Sequence, residues 1–188
     1  MRRQLAGDAV LPVGERGTHV VLALQGDRRY ALPRGLFDPH AELIAEILVD
    51  AERDAAFDIP LPDISVDTMD RVVEYLEKHQ HDKPGATAEL ERPLRAPLRE
   101  LVDAWDWNFV AALKDTHGSA KLFAVLKAAV FLVISPLRDL CCAAVADMVR
   151  DRPEAELLAM FGVDPAVGFD AADEEAIVRD FPWLADPA

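Results

Sequence analysis

The sequence predicts an α+β fold, in which a few short strands come first and helices follow. Within the first 61 positions, residues 19–24, 29–32 and 57–61 are short apolar runs or alternate apolar with polar side chains, which is typical of strands. From residue 64 on they recur every three or four positions, which is typical of one face of a helix. The two patterns do not alternate along the chain, so a sheet of repeated βα units is not expected.

The first two strands are predicted to form a hairpin. The run HVVLAL at residues 19–24 is rich in β-branched and aliphatic residues, and Gly26-Asp27 after it indicates a turn. Residues 29–32 can then return beside the first strand. Pro33 ends this second strand because proline has no N–H to donate to a sheet.

A helix and a third strand are predicted next. Residues 41–49 carry aliphatic side chains at helical spacing, namely Leu43, Ile44, Ile47 and Leu48. Phe57, Ile59 and Leu61 alternate with polar residues or proline, which predicts a strand. The expected sheet is therefore small and three-stranded.

Helical spacing predicts helices from residue 64 to the C-terminus. In the first, DISVDTMDRVVEYLEKH, Ser65 or Asp67 can cap the N-terminal turn. Residues 80–97 interrupt the pattern with three prolines and a glycine, which predicts a mobile loop. One helix is expected over residues 98–105. The later helices are expected to begin near Leu122, at Pro136, at Pro153 and after Asp170.

Charge and composition exclude several classes of partner. The chain has 188 residues, a formal net charge of −14 and a pI near 4.7. Binding of nucleic acid or of an anionic membrane surface needs a basic face, so neither is expected. An apolar run approaching the ~20 residues of a membrane span is absent from the sequence. Protein partners are the class that this composition favours.

The two cysteines and the N-terminus indicate a compartment. Cys141 and Cys142 are adjacent, and neighbours in a helix point in different directions, so they are a poor disulfide pair. Buried free thiols in a reducing compartment are the expected state. The first 18 residues contain no apolar core like that of a signal peptide. The cytoplasm, the nucleus or both are the expected location.

Catalytic and metal sites are weakly supported by the residue pattern. His79 and His81 lie two apart with Asp82 beside them, but no third or fourth ligand follows at a metal-binding spacing. A solvated loop is the better interpretation of these residues. Neither a nucleophile elbow nor a glycine-rich phosphate loop is present in the sequence. We therefore expect no enzyme activity, no metal and no cofactor.

Four segments, in order, carry a family resemblance. FDIPLPDISVDTMDRVVEYLEKH resembles a Pro-Leu-Pro segment followed by a helix, and AWDWNF resembles a Trp-Asp-x-x-Phe motif. LFAVLKAAVFLVISPLRDLCCAAVADMV resembles two central helices of the same family. RPEAELLAMFGV and FDAADEEAIVRDFPW resemble its C-terminal helices and terminal Trp. Together they make the chain similar to the S-phase kinase-associated protein (Skp) family, the F-box-binding adaptors of SCF ubiquitin ligases.

This resemblance implies a BTB/POZ fold, a small three-stranded sheet packed with helices, followed by C-terminal F-box-binding helices. It divides the chain into a flexible arm at residues 1–18, a BTB/POZ-like domain at 19–150 and an extension at 151–188. Family members are non-catalytic adaptors. An F-box protein is therefore the implied partner, and a cullin is the second.

The resemblance also implies an F-box-binding surface on the last helices. Its candidate residues are Leu140, Val145, Met148, Val149, Pro153, Leu157, Phe161, Val163, Ile177, Val178 and Trp183. From periodicity alone, the same stripe could instead face one shared core, as most helical stripes do. For Leu140 and Val145 both interpretations stay open.

The family's cullin-contacting turn usually reads Asn-Tyr-Leu-Asp, and this chain departs from it. The aligned residues are Val130-Phe131-Leu132-Val133, so Val130, Phe131 and Val133 are the candidate cullin contacts. Phe131 keeps an aromatic group, whereas the two valines remove hydrogen-bonding side chains. Two alternatives follow: a Skp-like subunit of a non-ligase F-box complex, for example at the kinetochore, or a self-associating BTB module.

Overall fold

The computed structural model describes residues 3–5, 18–37, 41, 43–44, 46–47, 58–82, 90, 92–114, 119–164 and 171–185. The chain forms two compact units, Met1–Met148 and Val149–Ala188. The first combines a sheet with helices, and the described part of the second is helical. The α+β class predicted from the sequence is thus confirmed.

The sheet contains the three predicted strands and one more. Its members are β1 (Arg3–Leu5), β2 (His19–Leu24), β3 (Arg28–Pro33) and β4 (Asp58–Leu61). Their order is β1-β3-β2-β4, with β2 antiparallel to β3 and parallel to β4. The prediction of a flexible arm at residues 1–18 is wrong at β1, which pairs antiparallel with β3. Residues 6–17 of that arm lie outside the described residues.

The hairpin turn between β2 and β3 explains the Gly-Asp pair. Gly26 and Asp27 both have positive φ, 73° and 55°, a left-handed region that glycine enters freely and aspartate tolerates. The N–H of Gln25 donates to the carbonyl of Ile64 over 3.0 Å. That bond ties the turn to the loop between β4 and the first helix.

Five helices whose ends are described follow the last strand in the first unit. They are α1 (Val66–His79), α2 (Leu98–Leu101), α3 (Ala104–Leu113), α4 (Ala120–Phe131) and α5 (Ser135–Val149). The predicted helix at residues 41–49 is described only at Leu43, Ile44, Glu46 and Ile47, which are helical. Its ends lie outside the described residues.

Caps define two of these helices. Ser65 caps α1, since its Oγ accepts from the N–H of Thr68 over 3.2 Å. The single helix predicted over residues 98–105 is wrong. Val102 is extended and Asp103 caps a new helix by accepting from the N–H of Asp106 over 2.9 Å. Asp106 lies in the first turn of α3 and is buried.

One apolar core joins the sheet to the helices of the first unit. Leu22 and Leu32 of the hairpin, Met69 and Leu76 of α1, and Leu122 of α4 are all within it. Cys141 of α5 is fully buried there, and burial raises the pKa of its thiol to about 12. Cys142 is exposed. The expectation of two buried thiols therefore holds for Cys141 and is wrong for Cys142.

The predicted mobile loop at residues 80–97 is described only at 80–82, 90 and 92–97. Leu90 and Leu94 pack against the core, and Arg92 pairs with Asp139 of α5 over 3.0 Å. The backbone N–H of Leu98 then donates to the carboxylate of Asp147 over 2.9 Å. These contacts attach the second half of the predicted loop to α5.

The second unit contains α6 (Glu154–Phe161), α7 (Ala171–Asp180) and a 3-10 turn, Pro182–Ala185. Pro153 precedes α6 as its N-cap, which agrees with the predicted helix start. Asp170, after which the last helix is expected to begin, lies outside the described residues. Among the helices of the described ranges, none is both long and apolar enough to cross a bilayer.

Candidate protein-binding surfaces

The second unit buries none of its described side chains. Every residue described in α6 and α7 is exposed or half-buried. Large apolar side chains are nevertheless frequent there, and Trp183 is 72% exposed. Exposed apolar surface on a small helical unit is typical of surfaces that bind a partner. The two helices thus present apolar side chains, and the described residues of the second unit form no buried core around them.

The first group of exposed apolar residues lies at the end of α6. Gly162 has φ 66° and its N–H donates to the carbonyl of Ala159, while the N–H of Val163 donates to Leu158 over 2.9 Å. This pair of bonds is the Schellman motif, which ends a helix on a glycine. Phe161 and Val163 flank the glycine and are about half exposed. The motif fixes both side chains at the surface.

The second group lies at the end of α7 and in the turn after it. The N–H of Phe181 donates to the carbonyl of Ile177 over 2.8 Å, which continues the helical turn toward Trp183. Val178, Phe181 and Trp183 are exposed, while Ile177 is half-buried. Phe181 was absent from the predicted set, although the FPW sequence signalled an aromatic pair next to a helix-ending proline.

Acidic side chains lie on the same helix as the second group, mostly toward its other end. Asp173 and Glu174 lie in the first turn of α7, where they also complement the helix dipole, and Glu175 follows them. Arg179 and Asp180 form an exposed pair at 3.6 Å. Exposed pairs of this kind contribute little to stability. The acids therefore bear on the approach of a partner more than on the fold.

Leu140 is a correction to the predicted F-box surface. Its side chain is 2% exposed and belongs to the core of the first unit, so it cannot contact a partner without unfolding. Val145 and Met148 are half-buried and pack against the same core. The Oγ of Ser119 also donates to the Sδ of Met148 over 3.5 Å. The apolar stripe on α5 therefore packs mainly into the core of the first unit.

The remaining predicted residues are accessible to different degrees. Val149, Leu157 and Ile177 are half-buried, and Pro153 is exposed. Phe161, Val163, Val178 and Trp183 are exposed. Each of these residues belongs to the second unit. Eight of the predicted residues thus lie in the second unit, whereas Leu140, Val145 and Met148 belong to the first.

Within the described part of the first unit, the exposed large apolar side chains lie at the end of α4 and in the turn after it. Val130 and Phe131 are each 56% exposed, and Val133 is 36% exposed. Val133 has φ 54°, a left-handed conformation that a β-branched residue rarely adopts. Leu132 between them is fully buried. The three predicted cullin contacts thus share one turn and present their side chains to solvent.

A groove lies beside this turn within the first unit. It has a volume of about 560 Å³, and its apolar lining includes Leu61, Ile64, Phe123 and Phe131. Lys127, one helical turn before Phe131 on α4, brings a positive charge to the same groove. A helix with an apolar anchor side chain could insert into a groove of this size.

The metal hypothesis at His79 and His81 is not supported by the geometry. Both ring nitrogens of His79 face carboxylates, Nδ1 toward Asp82 at 2.6 Å and Nε2 toward Asp106 at 3.1 Å. His81 is exposed. Across the described ranges, no three His, Cys, Asp or Glu side chains come together as a metal-binding group.

The fold and these surfaces define a small α+β protein whose helical C-terminal unit exposes large apolar side chains. A model of the Skp1 family, dimerisation domain, matches residues 135–184. The S-phase kinase-associated protein 1 homolog of Tetrahymena thermophila is 32% identical over 130 residues, 69% of this chain and 73% of that protein. The chain therefore belongs to the Skp1 family.

Other relatives have names that point to two settings. The suppressor of kinetochore protein 1 of Schizosaccharomyces pombe is 30% identical over 128 residues, which is 68% of this chain and 74% of that protein. The E3 ubiquitin ligase complex SCF subunit sconC of Talaromyces marneffei is 27% identical over 128 residues, again 68% and 74% of the two chains.

Proposed function

We propose that this chain is a non-catalytic adaptor that binds an F-box protein through its second unit. The observation that carries the proposal is the absence of any buried side chain among the described residues of α6 and α7. A partner that covers Phe161, Phe181 and Trp183 would remove this apolar surface from water, at roughly 25 cal/mol per Å².

An amphipathic helical partner suits this surface. Its anchors are large aromatic side chains, the residue type that often supplies most of the binding free energy at an interface. The acids Asp173, Glu174 and Glu175 favour a partner with basic residues around an apolar stripe. Such charges mainly accelerate association. Added salt should therefore lower the association rate and change the dissociation rate much less.

The turn at Val130, Phe131 and Val133 is the second partner surface in this proposal. An adaptor has to hold two proteins at once, and this turn belongs to the first unit while the F-box residues belong to the second. A cullin is the partner proposed here, because the chain belongs to the Skp1 family and a relative carries the name of an SCF subunit. Its contacts would be apolar, with Phe131 as anchor beside the groove.

The two valines favour a second candidate function. Val130 and Val133 offer no side-chain hydrogen bonds to a partner that needs them. A Skp-like subunit that binds an F-box protein without a cullin would not need these bonds, and a relative is named for the kinetochore. Addition of a cullin N-terminal domain to the preformed F-box complex separates the two candidates.

The test of F-box binding is co-expression with F-box segments from the same organism, followed by titration calorimetry. The proposal expects a one-to-one complex that keeps its composition in size-exclusion chromatography. If none of the segments binds the folded chain, the adaptor function is wrong. A stable homodimer that persists in the presence of F-box segments would instead support the self-associating BTB module.

A further inference from the structure

His79 sits at the end of α1 in a nearly closed polar site. Its side chain is only 5% exposed, and each of its ring nitrogens lies within hydrogen-bond distance of a carboxylate oxygen. Asp106 comes from the first turn of α3 and is 7% exposed, whereas Asp82 comes from the turn after α1 and is 42% exposed. One imidazole ring thus links three parts of the first unit.

The chemistry of the two contacts fixes the protonation of the ring. An ionised carboxylate only accepts hydrogen bonds, and a neutral imidazole has only one N–H. Two carboxylates can therefore both be satisfied only by an imidazolium, which donates from Nδ1 to Asp82 and from Nε2 to Asp106. Loss of one proton would leave a ring nitrogen lone pair facing a carboxylate oxygen.

The groups around the ring also suit a cation. Tyr75 lies one turn earlier on α1 with its ring centroid 4.3 Å from that of His79, and Trp105 of α3 approaches edge-on at 5.5 Å. The tilted stack with Tyr75 places an aromatic face beside the imidazole, an arrangement that stabilises positive charge. Another charged group lies nearby: the Nζ of Lys78 on α1 is 6.0 Å from the centroid of the Trp105 ring.

We propose that His79 is an imidazolium clasp that holds the turn at residues 80–82 and the start of α3 to the end of α1. Loss of its ring proton releases Asp82 and keeps the contact with Asp106. Asp82 is the carboxylate that can turn into water, since nearly half of its side chain is already exposed. Asp106 is buried and held in the capped first turn of α3, so it retains the remaining N–H.

The direction of the pH dependence follows from the same contacts. Burial lowers the pKa of His79, but the hydrogen bonds and charges of Asp106 and Asp82 outweigh it, so the pKa lies above its ordinary value of 6.5. A group whose pKa is raised by folding stabilises the fold fully below its unfolded value. That contribution is lost as the pH rises through the folded pKa. The clasp therefore has both of its carboxylate contacts in acid, and its contact with Asp82 is lost toward alkaline pH.

The test is an NMR titration of the full chain from pH 5 to 9, which reads the ring ¹⁵N shifts of its histidines. His79→Gln assigns the signal. We expect both nitrogens protonated at pH 6.5, a midpoint above 6.5, and a neutral form protonated at Nε2. Asp82→Asn should lower the midpoint by about one pH unit, the size typical for loss of a nearby opposite charge.

A matched control and a second readout complete the experiment. His81→Gln removes an exposed histidine two residues away and should leave the His79 midpoint unchanged. The amide of Asp82, which donates to the carbonyl of His79 over 2.9 Å, should lose exchange protection across the midpoint, while amides in the middle of α3 keep theirs. A midpoint below 6.5, or a neutral form protonated at Nδ1, would overturn the proposal.

Discussion

The backbone N–H of Ile134 donates to the carbonyl of Ala129 over 2.9 Å, and this bond closes the end of α4 around Val133. The N–H of Val133 donates to Val130 over 3.3 Å, which completes a Schellman motif. The motif requires a left-handed residue where Val133 stands, and its φ is 54°. A position normally taken by glycine thus holds a β-branched side chain, at a cost of about 1–2 kcal/mol.

Replacement of Val133 by glycine should therefore stabilise the protein. Val133→Gly removes the clash of Cβ with the backbone, and we expect the free energy of unfolding to rise by about 1 kcal/mol. Val133 is partly exposed, so little core packing is lost. Urea unfolding monitored by circular dichroism measures the change.

Val130 provides the matched control three residues earlier. It is exposed and lies in the last turn of α4, where glycine is less favourable than valine, so Val130→Gly should lower the free energy of unfolding by about 0.5 kcal/mol. Opposite signs for the same substitution would establish strain at Val133. Equal destabilisation by both would contradict it.

The strands and most helices could be predicted from local patterns. The hairpin followed from HVVLAL and the Gly-Asp turn, since both φ values there are positive and suit those residues. The capping role of Ser65 followed from its place before an apolar stripe. These features depend on neighbours in sequence, which a pattern contains.

Features that depend on distant neighbours could not be predicted. The pairing of β1 with β3 depends on register with a strand more than twenty residues away. The break between α2 and α3 at Val102 and Asp103 leaves little trace in the sequence, because apolar residues keep their helical spacing across it. Val133 gave no signal, since valine is among the residues least expected in a left-handed conformation.

The same limit affected the candidate site. Periodicity supports Leu140 and Leu157 equally as members of the F-box-binding surface. In the structure, Leu140 is buried in the core and Leu157 is half-buried in the second unit. Which helix of a series packs into a domain depends on the whole fold. Three short helical stripes with similar composition do not reveal that difference.

These two leucines should respond differently to truncation. Leu140→Ala leaves a cavity in the core of the first unit, so we expect a loss of about 2–5 kcal/mol in the free energy of unfolding. Leu157→Ala removes a side chain outside that core and should cost about 1 kcal/mol or less. Urea unfolding of both variants measures the difference. Comparable losses would contradict the assignment of Leu140 to the core.

Two aspartates of α5 offer a second comparison. The carboxylate of Asp147 accepts the backbone N–H of Leu98, a fully buried residue at the start of α2, over 2.9 Å. Asp147→Ala leaves that N–H unsatisfied and should cost about 1–3 kcal/mol. Asp139→Ala removes only exposed pairs with Arg92 and Arg138 and should change stability by about 0.5 kcal/mol or less.

Thermal unfolding of the two aspartate variants distinguishes the outcomes. The Asp147 variant should melt several degrees below the wild type, and the Asp139 variant within about a degree or two. If the Asp139 variant loses as much as the Asp147 variant, the ion pairs rather than the backbone bond hold residues 92–98 to α5.

Two exposed phenylalanines provide the test of the two-surface adaptor. Phe161 of α6 is 46% exposed and Phe131 of α4 is 56% exposed, so alanine at either position should leave stability nearly unchanged. Phe161→Ala should weaken F-box binding by about 2 kcal/mol or more, since large apolar anchors dominate such interfaces. Phe131→Ala should leave F-box affinity unaltered and reduce binding of a cullin N-terminal domain.

Titration calorimetry of each variant against both partners completes this comparison. Trp183→Ala should behave like Phe161→Ala, because Trp183 is the most exposed aromatic side chain among the described residues. The double variant Val130→Asn and Val133→Asp restores the polar pattern that the resemblance implies, and should strengthen cullin binding if hydrogen bonds were what the valines removed. Loss of F-box binding in the Phe131 variant would show that the two surfaces are not independent.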